Sequence, residues 1–299
     1  MSTMITNSKA PLDGPISSPS SGTARRRAVN LAMTALLTAV MAATLAVLLW
    51  VLYYVAKQGL QYLGPEFLTN TPPGNPSQAG GGFLNGIIGS LIIVGIATVM
   101  AVPTGVLAAV YIAEFGGPFA RVTAFLTDVL VGIPTIVTGA FIYAIWVTHF
   151  GFSGFAGSLA LALVMLPLVI RTTLEMLRLV PAALREASLA LGVTRARTIT
   201  RVVLPTALAG ITTGVMLAVA RALGETAPLL LTTLGNDLFT EYNPTKRMST
   251  LSLQIFGNAI SGFKAGQARA WAGSLTLVAL VLIFTAIARL AGRRSAVRT

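Results

Sequence analysis

Six long apolar stretches constrain this chain more than any other feature of its sequence. Each is at least 19 residues long, and together they contain only three charged residues. A helix of about 20 apolar residues crosses a hydrocarbon core of about 30 Å. The stretches span residues 29–56, 84–113, 122–147, 151–170, 205–236 and 270–288. We therefore predict an all-α integral membrane protein with six transmembrane helices.

Composition narrows the possible functions. Only 10% of the 299 residues are charged, against about 25% in a typical soluble domain, which argues against a soluble enzyme. The chain has no cysteine and one histidine, so disulfides, thiol catalysis and histidine or cysteine metal clusters are excluded. The net charge of +12 is explained by basic loops that flank the apolar stretches, so no nucleic-acid partner is expected.

The distribution of lysine and arginine predicts the orientation. With six spans, fifteen of these residues lie on the side of the two termini and five lie in the loops on the other side. Cytoplasmic loops of membrane proteins carry the excess of positive charge. We therefore expect both termini in the cytoplasm and a multi-pass location in the cell (plasma or inner) membrane.

The segments outside the spans differ in character. The first 24 residues are rich in Ser, Pro, Gly and Thr, so residues 1–28 are interpreted as a disordered cytoplasmic tail. Residues 29–291 form the transmembrane domain, and residues 292–299 form a basic cytoplasmic tail. In the outer segment 235–269, the apolar residues 248–260 are too few to span, which predicts a surface or re-entrant helix.

Four of the six spans contain an internal proline, at positions 103, 134, 167 and 228. Proline removes a backbone hydrogen bond and kinks a helix, and broken helices line substrate paths in transporters. Proline is also generally more frequent in membrane helices than in soluble ones. Both interpretations of these prolines stay open.

The inner loop between the fourth and fifth spans, residues 171–204, contains six arginines and the pattern of two short helices. Pro181 suits a first helical position, and Gly192 lies where a C-terminal cap belongs. Thr194 can cap a second helix that enters the bilayer near Pro205. We call this predicted helix–Gly–helix unit the elbow. An ordinary basic loop would explain the arginines but not the placement of the glycine.

The elbow contains a family signature. The letters "EASLALG", nine residues, and then "VVLP" resemble the EAA motif of ATP-binding-cassette (ABC) importer permeases. The resemblance implies that the elbow is a coupling helix that docks on an ATPase subunit. The residues implied to dock are Glu186, Ala187, Ser188 and Gly192.

Longer segments resemble one branch of that family. "RTTLEMLRLVPAALREASLALG", "RALGETAPLL" and "AVPTGVLAAVYIAEF" are similar to the PstA family of phosphate-importer permeases. The resemblance implies a complex with a second, PstC-like permease, a dimer of a PstB-like ATPase that holds ATP and Mg, and an extracytoplasmic PstS-like phosphate-binding protein. The segment 235–269 is the candidate contact for that binding protein.

Two charged residues lie within the fifth span. Arg221 and Glu225 are four residues apart, hence on one face of a helix, and Arg221 lies about 24 Å along the helix from Pro205. An arginine at such a depth costs at least about 2.5–3.5 kcal/mol on insertion scales, a cost usually retained for pairing or function. The pair either neutralises itself and locks the bundle, or it belongs to a substrate path.

A phosphate substrate favours the interpretation that the Arg221–Glu225 pair belongs to a substrate path. A guanidinium offers a planar fork that suits two phosphate oxygens and stays charged. We expect Arg221 to bind the anion in transit and Glu225 to hold Arg221 while the path is empty. Arg171 ends the fourth span, where the positive-inside pattern explains it or where it forms a second anion site at the cytoplasmic exit. Asp128 is expected to pair locally, with Arg121 or with another helix.

No lysine in the chain follows a glycine, so the phosphate-cradling Gly-Lys-Ser/Thr loop of an ATPase is absent. We therefore expect a non-catalytic membrane subunit that binds no cofactor and takes its energy from a partner ATPase. The predicted function is the permease subunit of an ATP-driven phosphate importer that works by alternating access. A sulfate, molybdate or tungstate permease is the nearest alternative, and a proton-coupled secondary transporter is another.

Overall fold

A computed structural model describes residues 21–296, with side chains for residues 23–287. The predicted tail up to residue 20 and the last three residues lie outside this part of the chain. The described residues form helices and contain no strand. The α-helices are α1 Ser21–Gly59, α2 Pro65–Thr69, α3 Leu84–Val110, α4 Gly117–Gly132, α5 Thr135–Ile142, α6 Thr148–Phe150, α7 Gly154–Arg178, α8 Ala182–Ala190, α9 Arg195–Thr198, α10 Leu204–Gly224, α11 Ala227–Leu230, α12 Leu251–Ala259 and α13 Lys264–Ala296.

Single turns of π-helix extend three of these helices, at Tyr111–Phe115, Tyr143–Val147 and Ile199–Val203. Five of the described helices are long and apolar enough to cross a membrane, and the bent pair α4–α5 makes a sixth candidate. The prediction of an all-α membrane protein is confirmed.

The chain divides into two compact units, the first ending at Tyr54 and the second beginning at Val55. Within the first unit, α1 is one unbroken helix whose residues 29–54 carry no charge. A helix that is apolar on every side suits a membrane span. The helix begins at Ser21, so residues 21–28, which the sequence analysis placed in the tail, belong to it. Similarly, α13 continues to Ala296, so most of the predicted basic C-terminal tail is helical.

The predicted third span is a bent pair of helices rather than one straight helix. Helices α4 and α5 meet at an angle of 106°, and Ile133 between them is extended, with φ −76° and ψ 126°. The following residue, Pro134, disfavours helical backbone at the position before it and donates no hydrogen bond. The break therefore follows from the proline. By contrast, Pro103 and Pro167 lie inside the continuous helices α3 and α7.

The predicted fifth span is also shorter than its apolar stretch. Helix α10 ends at Gly224, and Glu225 is extended, with φ −71° and ψ 132°. The chain then forms α11, which has Pro228 in its first turn. A proline is accepted in the first turn because that N–H has no helical partner. The segment 225–236 is therefore a turn at the end of the bundle and not a continuation of the span.

Helix α7 lies at the centre of the second unit. Leu161, Met165 and Val169 recur every four residues along it and are at most 1% exposed, so one whole face is buried. Helix α10 packs against α7 in the antiparallel sense, since Gly214 lies against Thr172 and Gly210 lies against Met176.

The end of the bundle opposite the elbow, which we call the distal end, is closed by a buried polar network. The apolar residues 248–260 contain α12, so the helix predicted in this segment is confirmed. The Gln254 amide nitrogen donates to Asn85 Oδ1 at 2.9 Å and to Asp237 Oδ1 at 3.0 Å. The Ser90 hydroxyl oxygen accepts from the Leu251 N–H at 2.9 Å. These bonds fix the segment 248–254 against the first turns of α3.

Arg269 anchors the first distal loop. Its guanidinium donates to the carbonyl oxygens of Pro76 at 2.8 Å, Gln78 at 2.6 Å and Gly80 at 3.3 Å. The residue is only 4% exposed. Carbonyl oxygens thus satisfy a buried charge, as burial of a cation requires, and they fix a proline- and glycine-rich loop that no regular element would order.

We predict that Gly89→Ala destabilises the protein, whereas Gly95→Ala on the same helix does not. A methyl group at Gly89 would overlap the carbonyl oxygen of Ser249, while the space around Gly95 is open. Overpacking typically costs about 1–3 kcal/mol, and alanine otherwise stabilises a helix by about 1 kcal/mol relative to glycine. Thermal unfolding of the detergent-solubilised variants measures the difference, and equal midpoints would contradict the packing at Gly89.

Candidate functional site

Arg221 and Glu225 form an ion pair at the end of α10. Arg221 Nε donates to Glu225 Oε1 at 3.2 Å. The two side chains differ in exposure: Arg221 is 56% exposed and Glu225 is 15% exposed. Because the helix ends at Gly224, Arg221 lies in its last turn, towards the distal end. The Glu225 carbonyl oxygen accepts from the Ser252 hydroxyl at 2.8 Å, which ties this break to α12.

Arg171 and Asp128 form a second ion pair, with Nη2 and Oδ1 2.7 Å apart. Arg171 belongs to α7 and Asp128 to α4, so the carboxylate pairs with another helix, one of the alternatives considered for it. The two side chains are 50% and 65% exposed. The helix continues for seven residues beyond Arg171, to Arg178, so Arg171 lies two turns inside the helix and not at its end.

The two exposed arginines lie at different levels of the bundle. Thr172 on α7 lies against Gly214 on α10, which places Arg171 near the level of residue 215. Arg221 is six residues further along α10. At 1.5 Å per residue, the two guanidinium-bearing positions are separated by about 9 Å along the bundle. The structure therefore places two paired cations in sequence between the elbow and the distal end.

The elbow has the predicted helix–Gly–helix geometry, except that Pro181 precedes α8 as its N-cap and does not occupy the first helical position. Helix α8 ends in a Schellman motif, in which the Gly192 N–H donates to the Leu189 carbonyl at 2.9 Å and the Val193 N–H donates to the Ser188 carbonyl at 3.2 Å. Gly192 has φ +77°, which glycine adopts without strain. Thr194 precedes α9 as expected, although its side chain makes no capping hydrogen bond.

Exposure separates the residues of the EAA signature. Glu186, Ala187 and Gly192 are exposed, and Leu191 next to the glycine is 84% exposed. Ser188, however, is only 9% exposed. Its hydroxyl lies 2.9 Å from that of Thr198, which is also buried. Ser188 therefore joins the two arms of the elbow and does not offer its side chain to a docking partner.

Two charged residues that the sequence analysis did not single out complete the site. Arg185 on α8 forms an ion pair with Glu114, which lies in the π-helical turn after α3. The residues are 71 positions apart. Glu114 directly follows an apolar stretch and Arg185 lies within the basic inner loop, and charge is ordinary at both places. No local pattern could join them, because only the packing of the elbow against α3 brings them together.

The family model and the relatives that this chain matches all describe membrane components of transport systems. The family model described as "Binding-protein-dependent transport system inner membrane component" matches residues 101–297. A Yersinia pestis protein named phosphate transport system permease protein PstA is 46% identical over 226 residues, which cover 75% of this chain and 76% of the relative. A Mycobacterium leprae protein of the same name is 45% identical over 214 residues, 69% of each chain.

Solved structures of ABC transporters share the fold. A bacterial alginate ABC transporter, solved with its alginate-bound periplasmic protein, aligns with a TM-score of 0.64 and 18% identity over 89% of this chain and 97% of that chain. The methionine ABC transporter MetNI in an inward-facing conformation aligns with a TM-score of 0.55 and 18% identity, over 71% of this chain and 94% of that chain.

We predict that Ser188→Ala lowers the free energy of unfolding by about 1–3 kcal/mol, because it leaves the buried Thr198 hydroxyl without its partner. Replacing both partners by apolar groups is often nearly neutral, so Ser188→Ala combined with Thr198→Val should recover most of the loss. Thermal unfolding of the purified single and double variants tests this cycle. Additive losses in the double variant would contradict the pairing of the two hydroxyls.

Proposed function

The chain belongs to the binding-protein-dependent transport system inner membrane components and, within them, to the PstA phosphate permeases; from that premise we propose that it forms half of the path of an ATP-driven phosphate importer. It is a multi-pass protein of the inner membrane. In the proposed complex a PstC-like permease forms the other half of the path. A PstS-like protein delivers phosphate, and two PstB-like ATPase subunits bind ATP and Mg.

The difference in exposure between Arg221 and Glu225 is the observation that carries the proposal. The Arg221 side chain is more than half exposed, whereas the side chain of Glu225, which holds it, is 15% exposed. The cation therefore extends from the helix surface while the anion stays behind it. An incoming phosphate meets the guanidinium before it meets Glu225, so the repulsion between the two anions is reduced at the moment of approach.

Arg221 can also bind an anion with N–H groups that Glu225 does not contact. A guanidinium has five N–H donors, and the contact with Glu225 uses Nε. The terminal Nη groups can bind two oxygens of a tetrahedral anion in the planar fork geometry. The guanidinium thereby replaces part of the hydration that the phosphate loses on entering the bilayer, and Glu225 keeps Arg221 oriented when no anion is bound.

Arg171 supports a second step in the same path. It lies about 9 Å from the level of Arg221 along the bundle, nearer to the elbow, and it is also half exposed and paired with a carboxylate. Two cations in sequence bind an anion strongly enough to admit it and weakly enough at each site to release it. Alternating access then moves phosphate from Arg221 towards Arg171.

The elbow is the proposed site of energy input. Glu186, Ala187 and Leu191 are exposed on it, and this mixture of one charge with apolar area suits docking in a groove of an ATPase subunit. Closure of the ATPase dimer on ATP would move the elbow and switch the path between its two openings. The chain itself is proposed to bind no nucleotide and no metal.

We predict that Arg221→Gln lowers phosphate uptake about tenfold or more at normal protein levels. Charge-assisted hydrogen bonds contribute about 1.5–3 kcal/mol each, and 1.4 kcal/mol is a factor of ten. Uptake of labelled phosphate by the reconstituted complex is the measurement. Arg201→Gln, which removes an exposed arginine from the turn before α10, is the matched control and should transport normally.

The Glu225→Gln variant distinguishes a role of the ion pair in the substrate path from a purely structural role. If the pair only locks the bundle, both single variants should lose equal stability and the double variant should recover transport. If Arg221 binds the anion, the double variant stays inactive and Glu225→Gln alone keeps part of the activity. Wild-type uptake by Arg221→Gln would reject the path.

Anion competition distinguishes phosphate from the other oxyanions, because a guanidinium alone binds any of them. Unlabelled phosphate should suppress the uptake of labelled phosphate, and sulfate, molybdate and tungstate at equal concentration should not. Uptake should also stop when the ATPase subunit is deleted. Uptake that survives this deletion and follows a proton gradient would identify a secondary transporter instead.

A further inference from the structure

Arg185 makes more contacts across the junction between the elbow and the transmembrane helices than any other described charged residue of the elbow. Its Nε donates to Glu114 Oε1 at 3.1 Å, and its Nη2 lies 3.0 Å from the same oxygen. Its Nη1 donates to the Val180 carbonyl at 2.6 Å and its Nη2 to the Leu177 carbonyl at 2.7 Å. One side chain thus joins α8 to the end of α7 and to the end of α3.

This ion pair differs from the surface pairs in its burial. Glu114 is 8% exposed and Arg185 is 24% exposed. The neighbouring pair of Arg178 and Glu175 at the end of α7 is 61% and 64% exposed. An exposed pair contributes little to stability or rigidity, whereas removal of one partner from a buried pair leaves an uncompensated charge. The Arg185 contact is therefore the mechanically stronger of the two.

The second arm of the elbow contacts the same π-helical turn. The Arg195 guanidinium carbon lies 4.9 Å from the centre of the Phe115 ring, a cation–π distance. Phe115 is in turn stacked on Tyr111, with the ring centres 5.6 Å apart. Both arms of the elbow thus hold consecutive residues, Glu114 and Phe115, at the end of α3.

The covalent connections of the elbow show why this contact matters. A three-residue linker, residues 179–181, joins it to α7, and α9 continues through a π-helical turn into α10. No covalent connection near the elbow leads to α3, which lies 71 residues earlier along the chain at the Glu114 contact. A movement of the elbow therefore reaches α3 directly through these side chains, and otherwise by way of α7, whose Val169 packs against Gly105 on α3.

We propose that Arg185 is a positioning residue that couples the elbow to α3 and α7, so that force applied to the elbow by the ATPase moves both helices together. We call the contact of Arg185 with Glu114, Leu177 and Val180 the latch. The proposal rests on the proposed function, since it requires an ATPase that moves the elbow. Without the latch, the elbow still docks and the ATPase still turns over, but less of each stroke reaches the transmembrane helices.

The ratio of phosphate imported to ATP hydrolysed tests the latch. The complex of both permeases and the ATPase is reconstituted in proteoliposomes with phosphate-loaded binding protein, and both quantities are measured in the same vesicles. Arg185→Gln is expected to lower the ratio about fivefold or more, the lower end of typical coupling effects, while ATP hydrolysis continues. Arg185→Lys keeps the charge but not the fork to two carbonyl oxygens, and should give an intermediate ratio.

Two variants control this experiment. Arg178→Gln removes an arginine of the exposed pair nearby and should leave the ratio at the wild-type value. Glu114→Gln removes only the charge of the latch partner and should lower the ratio as Arg185→Gln does. If transport and ATP hydrolysis fall together at a constant ratio, or if neither latch variant assembles, the pair has only a structural role and the proposal is overturned.

A cross-link provides an independent test, because the chain contains no cysteine. In Glu114→Cys combined with Arg185→Cys, a short bifunctional thiol reagent should raise the ratio again, and a monofunctional reagent should not. A cross-linked complex that stays uncoupled would count against the latch. If the wild-type complex itself imports no phosphate, the proposed function fails instead, so the two failures are distinct.

Discussion

Positive charge inside an apolar bundle is the constraint on which this structure depends. A cation in a low-dielectric surrounding requires a partner, and four of the described arginines have one. Arg171, Arg185 and Arg221 each lie within 3.2 Å of a carboxylate oxygen, and the buried Arg269 donates to carbonyl oxygens. Each pairing fixes a different junction. Arg171 joins α7 to α4, and Arg185 joins the elbow to the transmembrane helices. Arg221 holds the end of α10, and Arg269 holds the distal loop.

The pairings differ in burial, and burial relates to their proposed roles. The Glu114 side chain is only 8% exposed, so an anion from outside has little access to this pair, and the pair suits a rigid connection. The side chains of Arg171 and Arg221 are at least half exposed, so in the proposed path an anion approaches them while the carboxylates remain. In the proposed mechanism, the same type of ion pair serves as a mechanical tie at one level and as an exchangeable anion site at two others.

The elbow shows how far local patterns predict this protein. The glycine cap at Gly192 follows from local rules of helix capping, and the structure confirms it. The next helix begins after Thr194 as predicted, but without the predicted side-chain cap. The orientation of Ser188 did not follow, because six of the nine residues of α8 are apolar and lie on several sides of the helix, so the pattern gives no clear inward face. Pro134 was recognised as a possible break in the helix. The size of the bend, 106°, depends on how the neighbouring helices pack around it.

The sequence by itself determined the helical class, the approximate spans, the elbow and the family, because apolar length, capping residues and motif spacing are local properties of the chain. Only the tertiary structure decided that Asp128 pairs with Arg171, that Glu114 receives Arg185, and that α10 ends at Gly224. Those outcomes depend on which helices pack together, and residues far apart in the chain carry no local record of their contact. The Arg221–Glu225 pair follows from its spacing of four residues, whereas the Arg171–Asp128 and Arg185–Glu114 pairs are products of packing.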